Sequence, residues 1–269
     1  MTDTAWPGEG IDPERASAAR IYDYILGGGH NFAVDRDMAE QVLDVNPDTR
    51  RHVQQNRAFL RRAVLFMMQQ GIRQFLDLGS GIPTVGNVHE IAQAADPRCR
   101  VVYVDIDPVA VAHSEMLLAD NPNAAIIRAD VARPDLVLRS PVTRRLLDFA
   151  RPVGLLALTI GHYLAPAQQP FGIFAAYRDQ LAPGSHLAVS HVTNELTGNR
   201  ADIVAEMMRK AKSNSVFPRN RDEVLRFFDG YQLVEPGLVT TSRWRPELPE
   251  ERLGDAGADG QYAGVARKP

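Results

Sequence analysis

The spacing of apolar positions divides the chain into a helical front and an alternating remainder. Residues 34–45 suit a helix that Pro47 ends. A longer helix is expected over 49–70, where Phe59, Leu60, Ala63, Val64, Met67 and Met68 recur at intervals of three and four and form one buried stripe. Gly71 follows where a helix cap belongs. From there short apolar runs at 74–78, 100–104, 125–128, 153–159 and 186–190 alternate with helical patterns near 86–95, 108–119, 142–150 and 170–181. Runs that are apolar on both faces and separated by helix-length segments predict a parallel sheet covered on both sides. The expected fold class is α/β, a doubly wound and mainly parallel sheet with an N-terminal helical extension.

No repeat or long linker interrupts this pattern, so one domain is expected over 18–269. It comprises a helical extension or lid (18–71), the core (72–191), a polar helical insert (192–229) and C-terminal strands (230–269), one near 231–234 and the last near 261–266. Residues 1–17 carry Pro, Gly and acidic residues without periodicity and are expected to be a flexible tail.

Composition narrows the partners. Among 269 residues, 30 basic and 33 acidic side chains give a net charge of −3, which offers no broad cationic face and points away from nucleic acid. Arg50-Arg51, Arg61-Arg62 and Arg144-Arg145 read as solvated helix faces. The single Cys99 can neither close an internal disulfide nor supply a thiolate metal site, and no His, Asp and Glu spacing reads as one. The polar, acidic start lacks the order of a signal peptide, and the longest apolar stretch, 153–160, is too short for a bilayer. A cytoplasmic protein without a membrane partner is expected, and its oligomeric state is left open.

The chemistry concentrates at two strand ends. Phe75-Leu-Asp77-Leu-Gly79-Ser80-Gly81 is a buried strand ending in a carboxylate and turning through two glycines, and Asp105 ends the next strand. A glycine turn lets a ligand approach the backbone at the carboxyl edge of the sheet, and a carboxylate about 20 residues on accepts both hydroxyls of a ribose. Together they mark an adenosine site. A dinucleotide would need a third glycine, where this chain has Pro83-Thr84, and Asp77 would repel its pyrophosphate. That disfavours an NAD-dependent oxidoreductase. Asp77 suits a ligand with an amino group and a sulfonium, so S-adenosylmethionine is the better fit, with S-adenosylhomocysteine as product. Asp130 ends the third strand where it can accept from the adenine amino group, with Ile106 and Val131 on either side of the ring. Asp107 before Pro108 reads as a helix cap.

The strings ARIYDYILGGGHNFAVDRD (18–36), NRAFLRRAV (56–64), QFLDLGSGIPTVGNVHE (74–90), VVYVDIDPVAVAH (101–113), LLDFARPVGLL (146–156) and LAPGSHLAVSH (181–191) resemble the bacterial S-adenosyl methyltransferase family, class I, catalogued as a domain of unknown function. The resemblance runs from about residue 17 to the C-terminus. It implies a seven-stranded sheet with a reversed last strand, S-adenosylmethionine as cofactor and an unsettled substrate. Gly161-His162-Tyr163-Leu164 departs from it, with no apolar residue before the histidine and no acid in Ala165-Pro166-Ala167. That departure keeps open a non-catalytic, regulatory binding protein beside a methyltransferase.

The glycine-rich arm at 20–32 is read as a lid that folds over the cofactor mouth and offers Tyr22, Tyr24 or Phe32 to the sulfonium, with His30 and Asn31 near the same mouth. Tyr22 is also a catalytic candidate. So is His162, after the fourth strand, where a neutral imidazole takes a proton from a hydroxyl or amine. His191 is a weaker candidate, and His89 and His113 weaker still. The expected function is methyl transfer to an oxygen or nitrogen of a small-molecule acceptor. The acceptor pocket is expected between the arm, the loop 161–169 and the insert 199–228.

Overall fold

Alternate strand residues enter two different cores. Phe75, Val101 and Tyr103 face one side with Phe59, Met67 and Trp244, whereas Leu76, Leu78, Val102 and Val104 face the other with Val137, Leu146, Phe174 and Tyr177. A period of two with both faces covered is why these strands carry no polar side. The structure is a computed structural model and describes residues 11–84, 86–211, 213–247 and 259–269.

Three helices lead: α1 (Ala18–Ile25), α2 (Ala33–Val45) and α3 (Thr49–Gln69). The alternating part follows as β1 (Gln74–Leu78), α4 (Val88–Ala95), β2 (Arg100–Asp105), α5 (Pro108–Leu117), β3 (Ala124–Arg128), α6 (Pro134–Arg139), α7 (Pro141–Leu146), β4 (Gly154–Leu158), α8 (Pro170–Gln180) and β5 (His186–Val192). The insert holds α9 (Arg200–Lys210) and α10 (Arg221–Leu225), and the chain ends through β6 (Gln232–Leu233), β7 (Val239–Thr240) and β8 (Gln261–Arg267). The sheet order is β3-β2-β1-β4-β5-β8-β6, with β1 to β5 parallel and β8 antiparallel to β5. Strand order reverses between β1 and β4, and ligands of open α/β sheets bind at the carboxyl ends there.

Three sequence expectations are corrected. Among the described residues the sheet has eight strands rather than seven, because β8 is long enough to pair with β6 at Ala266 and Arg267 and with the extra β7 at Tyr262 and Ala263. The helix expected over 142–150 begins at Pro141 and ends at Leu146. Its continuation is drawn onto the start of β1, where the Gln74 amide donates to the Asp148 carbonyl (2.7 Å) and accepts from the Asp148 N–H (2.9 Å). Arg62 is buried, not solvated: it donates to the Trp244 carbonyl (2.8 Å) and the Thr241 carbonyl (2.6 Å), tying α3 to the segment after β7.

The front of the chain is fastened from residue 16 on. Ala16 is buried and its carbonyl accepts from Ser213 Oγ (3.0 Å), while the Ser17 N–H donates to Asp35 (2.9 Å) and Ser17 Oγ to Asp107. Arg20 bridges Asp35 (2.7 Å) and Asp107 (3.4 Å), so buried carboxylates from α2 and from the cap of α5 hold α1 over the sheet. Of the expected tail 1–17, residues 1–10 lie outside the described residues, and the end of the remainder is anchored. The glycines at 27–29 form a fitted turn, not a loose hinge. Asp23 is buried and accepts from the His30 N–H (2.8 Å) and the Asn31 amide (2.9 Å), and a Cβ on Gly28 would lie 2.0 Å from Asp23 Oδ1.

Candidate functional site

The turn after β1 is shaped by a close approach. Gly79 has φ +70°, and a Cβ there would fall 2.4 Å from the Ile160 side chain beyond β4. Its N–H and that of Ser80 both donate to the Val104 carbonyl (2.8 and 3.1 Å), pinning the turn to β2. Asp105 completes the brace by accepting the Gly81 N–H (2.7 Å) on one carboxylate oxygen and the Asp107 N–H (2.9 Å) on the other. Each oxygen keeps a second lone pair, enough for a ribose diol. Asp107 accepts the N–H groups of Val109 and Ala110, capping α5 as expected.

These groups open onto one cleft of about 1280 Å³, its mouth included. Asp77, Gly79, Ser80, Gly81, Asp105, Ile106, Asp130, Val131 and Tyr22, all singled out from sequence, line it. Ile106 is 58% exposed at the mouth, unusual for isoleucine and suited to covering a flat ring. Asp130 is exposed and also accepts the Ala132 N–H (2.8 Å), so it closes a turn while facing the cleft. Phe32 is not brought there. Its ring lies under the Arg20 guanidinium at 4.8 Å and packs on the Ile82, Val109 and Ala110 cluster. Tyr24 donates to Glu40 (2.6 Å), and His30 stacks on His113 at 4.0 Å, both apart from the cleft lining.

The inner end of the cleft carries both signs of charge. Asp77 is buried, and desolvation raises its pKa to about 7 against the opposing pull of Arg57. Arg57 lines the same end and donates to the Gly86 carbonyl (2.8 Å). Ser80 Oγ is buried there without a partner. A buried carboxylate, a guanidinium and an orphan hydroxyl fit the ammonium and carboxylate of an amino-acid tail, so the residues present fit S-adenosylmethionine. Sequence reading missed Arg57, although a signal existed: by spacing it shares a face of α3 with the buried Val53, Leu60 and Val64, where a cation has no packing reason to be.

A second cavity, of about 800 Å³ with its mouth included, lies between α1, the start of α3, the end of β5 and α9. Ala18, Tyr22, Thr159 and Tyr163 line both spaces, so the two meet there. Thr159 has φ +52°, a strained conformation for a β-branched residue. A buried chain of hydrogen bonds holds it: the Thr159 N–H donates to Ser190 Oγ (3.0 Å), Ser190 Oγ to Asn56 Oδ1 (2.6 Å), Asn56 Nδ2 to the Tyr22 hydroxyl (3.1 Å), and that hydroxyl to the Val53 carbonyl (3.3 Å). The Tyr22 proton is thus engaged, and burial raises its pKa further.

His162 lines the second cavity, not the cleft at the strand ends. Burial, with His191 and Arg219 nearby, pushes its pKa well below the usual histidine value, so it is neutral. His191 lies beneath it, pushed down to about 3 by burial, with Nδ1 on the Val192 carbonyl (2.7 Å) and Nε2 receiving Arg219 (2.9 Å). Arg219 also donates to the carbonyls of Gly161 (2.9 Å) and Leu164 (2.7 Å), clamping the turn that carries His162 and Tyr163. His89 bonds the Tyr103 hydroxyl (2.8 Å) inside the fold. Among the described residues no cluster of His, Cys, Asp and Glu can hold a metal ion, and no helix is long and apolar enough to cross a membrane.

A model of the S-adenosyl methyltransferase family matches residues 4–269. A DUF574 family protein from Streptomyces avermitilis is 38% identical over 96% of this chain and 99% of its own, with a TM-score of 0.92. A candidate methyltransferase from Thermobifida fusca is 40% identical over 98% of this chain and 99% of its own, with a TM-score of 0.90. No curated protein matches the chain. With the family model spanning residues 4–269 and two solved relatives aligned almost end to end, the chain belongs to the S-adenosyl methyltransferase family, enzymes whose cofactor is S-adenosylmethionine.

Proposed function

We propose that this methyltransferase acts on an oxygen or nitrogen of a small-molecule acceptor held in the second cavity. The observation that carries the reading is the meeting of two differently built spaces at Tyr22, Thr159 and Tyr163, one lined by charged and glycine positions and the other mainly by aliphatic ones. When bound, S-adenosylmethionine supplies a methyl group on a cationic sulfur; the acceptor lone pair forms the new bond to carbon as the carbon–sulfur pair returns to sulfur, and the acceptor proton leaves to a base or water. Asp105 is assigned the ribose hydroxyls, Asp77 the ammonium, Arg57 the carboxylate, and Ile106, Val131 and Asp130 the adenine. The chain's own contribution is alignment and exclusion of water. Tyr22 and Tyr163 wall the junction, and His162 faces the acceptor as a neutral group able to receive a proton. The buried, lone Cys99 suits a reducing, cytoplasmic setting.

The test is acceptor-dependent formation of S-adenosylhomocysteine from S-adenosylmethionine across a panel of small hydroxyl and amine compounds. Formation that rises with particular acceptors and is lost in Asp105→Ala supports the proposal. Tight binding of both cofactor forms with no acceptor-dependent product across the panel would favour a regulatory binding protein.

Two further outcomes are expected. Binding of S-adenosylhomocysteine should weaken below pH 7, by up to ~10-fold per pH unit, because the ammonium needs Asp77 ionised and its proton must first be released. Calorimetry from pH 5.5 to 8 checks this, and Asp77→Asn should bind more weakly with a flat profile. Tyr22→Phe should cost ~1 kcal/mol of stability by unpairing Asn56 Nδ2 and removing the second bond to the Val53 carbonyl, which keeps its helical partner. Since the ring remains, its affinity for S-adenosylhomocysteine should match that of the native chain.

A further inference from the structure

The second cavity is lined by Ile21, Ile25, Val53, Val204, Met208 and other apolar groups, with no Asp, Glu, Lys or Arg among its lining residues. A charge brought into such a space loses its hydration and meets no counter-ion, which is strongly unfavourable. Yet three of its lining residues carry an unpaired buried polar atom. Asn46 Oδ1, Gln261 Oε1 and His162 Nδ1 are buried without a hydrogen-bond partner, on residues 7%, 5% and 3% exposed. They come from three separate places in the fold: the end of α2, the start of β8 and the turn after β4. Native proteins rarely leave buried polar atoms unsatisfied, and three converging on one cavity are explained by a ligand that completes them.

We infer that the acceptor is an uncharged, mainly apolar molecule bearing two or more O–H or N–H donors, which Asn46, Gln261 and His162 receive inside the cavity. Asn46 and Gln261 are specificity-determining positions, remote from the cofactor cleft, and their amides orient the acceptor so that one donor-bearing atom reaches the junction at Tyr22 and Thr159. A hydrocarbon of the same size would leave the three atoms unpaired, and an anion would be excluded by the lining. The inference rests on the transfer reaction proposed above, because that reading makes this cavity the acceptor site.

The experiment titrates the full-length protein with 2-naphthol, naphthalene and 2-naphthalenesulfonate, followed by fluorescence, with and without saturating S-adenosylhomocysteine. 2-Naphthol is expected to bind at least ~10-fold more tightly than either of the others, the value of one completed hydrogen bond to a buried polar group. Asn46→Leu combined with Gln261→Leu should weaken 2-naphthol binding, and adding His162→Phe should bring it close to naphthalene. The same pair should hold or raise the melting temperature, whereas a merely structural role for the two amides predicts a lower one. Ala201→Trp, which projects from α9 into the cavity, should abolish 2-naphthol binding and leave S-adenosylhomocysteine affinity unchanged. Sulfonate binding equal to that of 2-naphthol, or a naphthol preference that survives the leucine pair together with His162→Phe in a folded protein, would overturn the inference. Failure of S-adenosylhomocysteine to bind would instead overturn the cofactor assignment of the cleft, since the naphthol series without it still reports the chemistry of the cavity.

Discussion

Asp105→Ala is expected to bind S-adenosylhomocysteine about 5- to 150-fold more weakly than the native chain, a loss of at least ~1–3 kcal/mol. Two effects combine. The variant removes the acceptors available to the ribose hydroxyls, and it releases the N–H groups of Gly81 and Asp107, which brace the glycine turn and the entry to α5. Asparagine is not a rescue, since its amide nitrogen would face one of the two N–H donors. Asp130→Ala provides the contrast: that carboxylate is exposed and fixes one turn N–H, so the loss should stay below ~1 kcal/mol. Calorimetry of the three proteins checks the ranking, and equal affinities would remove Asp105 from the site.

Arg219→Met is expected to lower stability by ~2–4 kcal/mol, leaving the Leu164 carbonyl and His191 Nε2 without a donor in the interior and the Gly161 carbonyl with only the Leu164 N–H (3.2 Å). For a chain of this size that corresponds to a melting temperature lower by roughly 5–15 °C. Burial lowers the Arg219 pKa, but a guanidinium stays protonated in proteins, so removing the side chain also removes a buried cation, which limits the cost. Lysine should rescue little, because one ammonium cannot reproduce the planar fork that reaches both carbonyls and the imidazole. Because the clamped turn carries His162 and Tyr163, binding in the second cavity should fall more than binding of S-adenosylhomocysteine. A thermal melt and the two titrations separate these effects, and an unchanged melting temperature would contradict the clamp.

The sheet was legible because its strands are buried on both faces. The five apolar runs predicted for β1 to β5 match the observed strands to within two residues at each end, and all the strand-end positions expected from sequence to meet the cofactor line one cleft. Local sequence also revealed Asp107 as a helix cap, since cap and proline are neighbours. What escaped depends on contacts distant in sequence. Arg62 looks solvated beside Arg61 until the segment after β7 supplies its carbonyl acceptors 179 and 182 residues away. Three glycines read as flexibility until Asp23 is seen to occupy the space that a side chain on Gly28 would need. Phe32 is an aromatic near a cofactor motif, but Arg20 claims its ring. The arm, the loop and the insert do converge on one cavity, as expected, but its polar atoms come from α2 and β8 as well. No local pattern marks Asn46 or Gln261, because their importance lies in lacking a partner within the fold.

The measurement that bears most directly on the account is calorimetric titration of the purified full-length protein with S-adenosylhomocysteine, with NADH as the paired control. The account predicts micromolar binding of S-adenosylhomocysteine, weakened by Asp105→Ala and by acid below pH 7, and no binding of NADH. Binding of NADH alone, or S-adenosylhomocysteine binding that is indifferent to both Asp105 and Asp77, would contradict it.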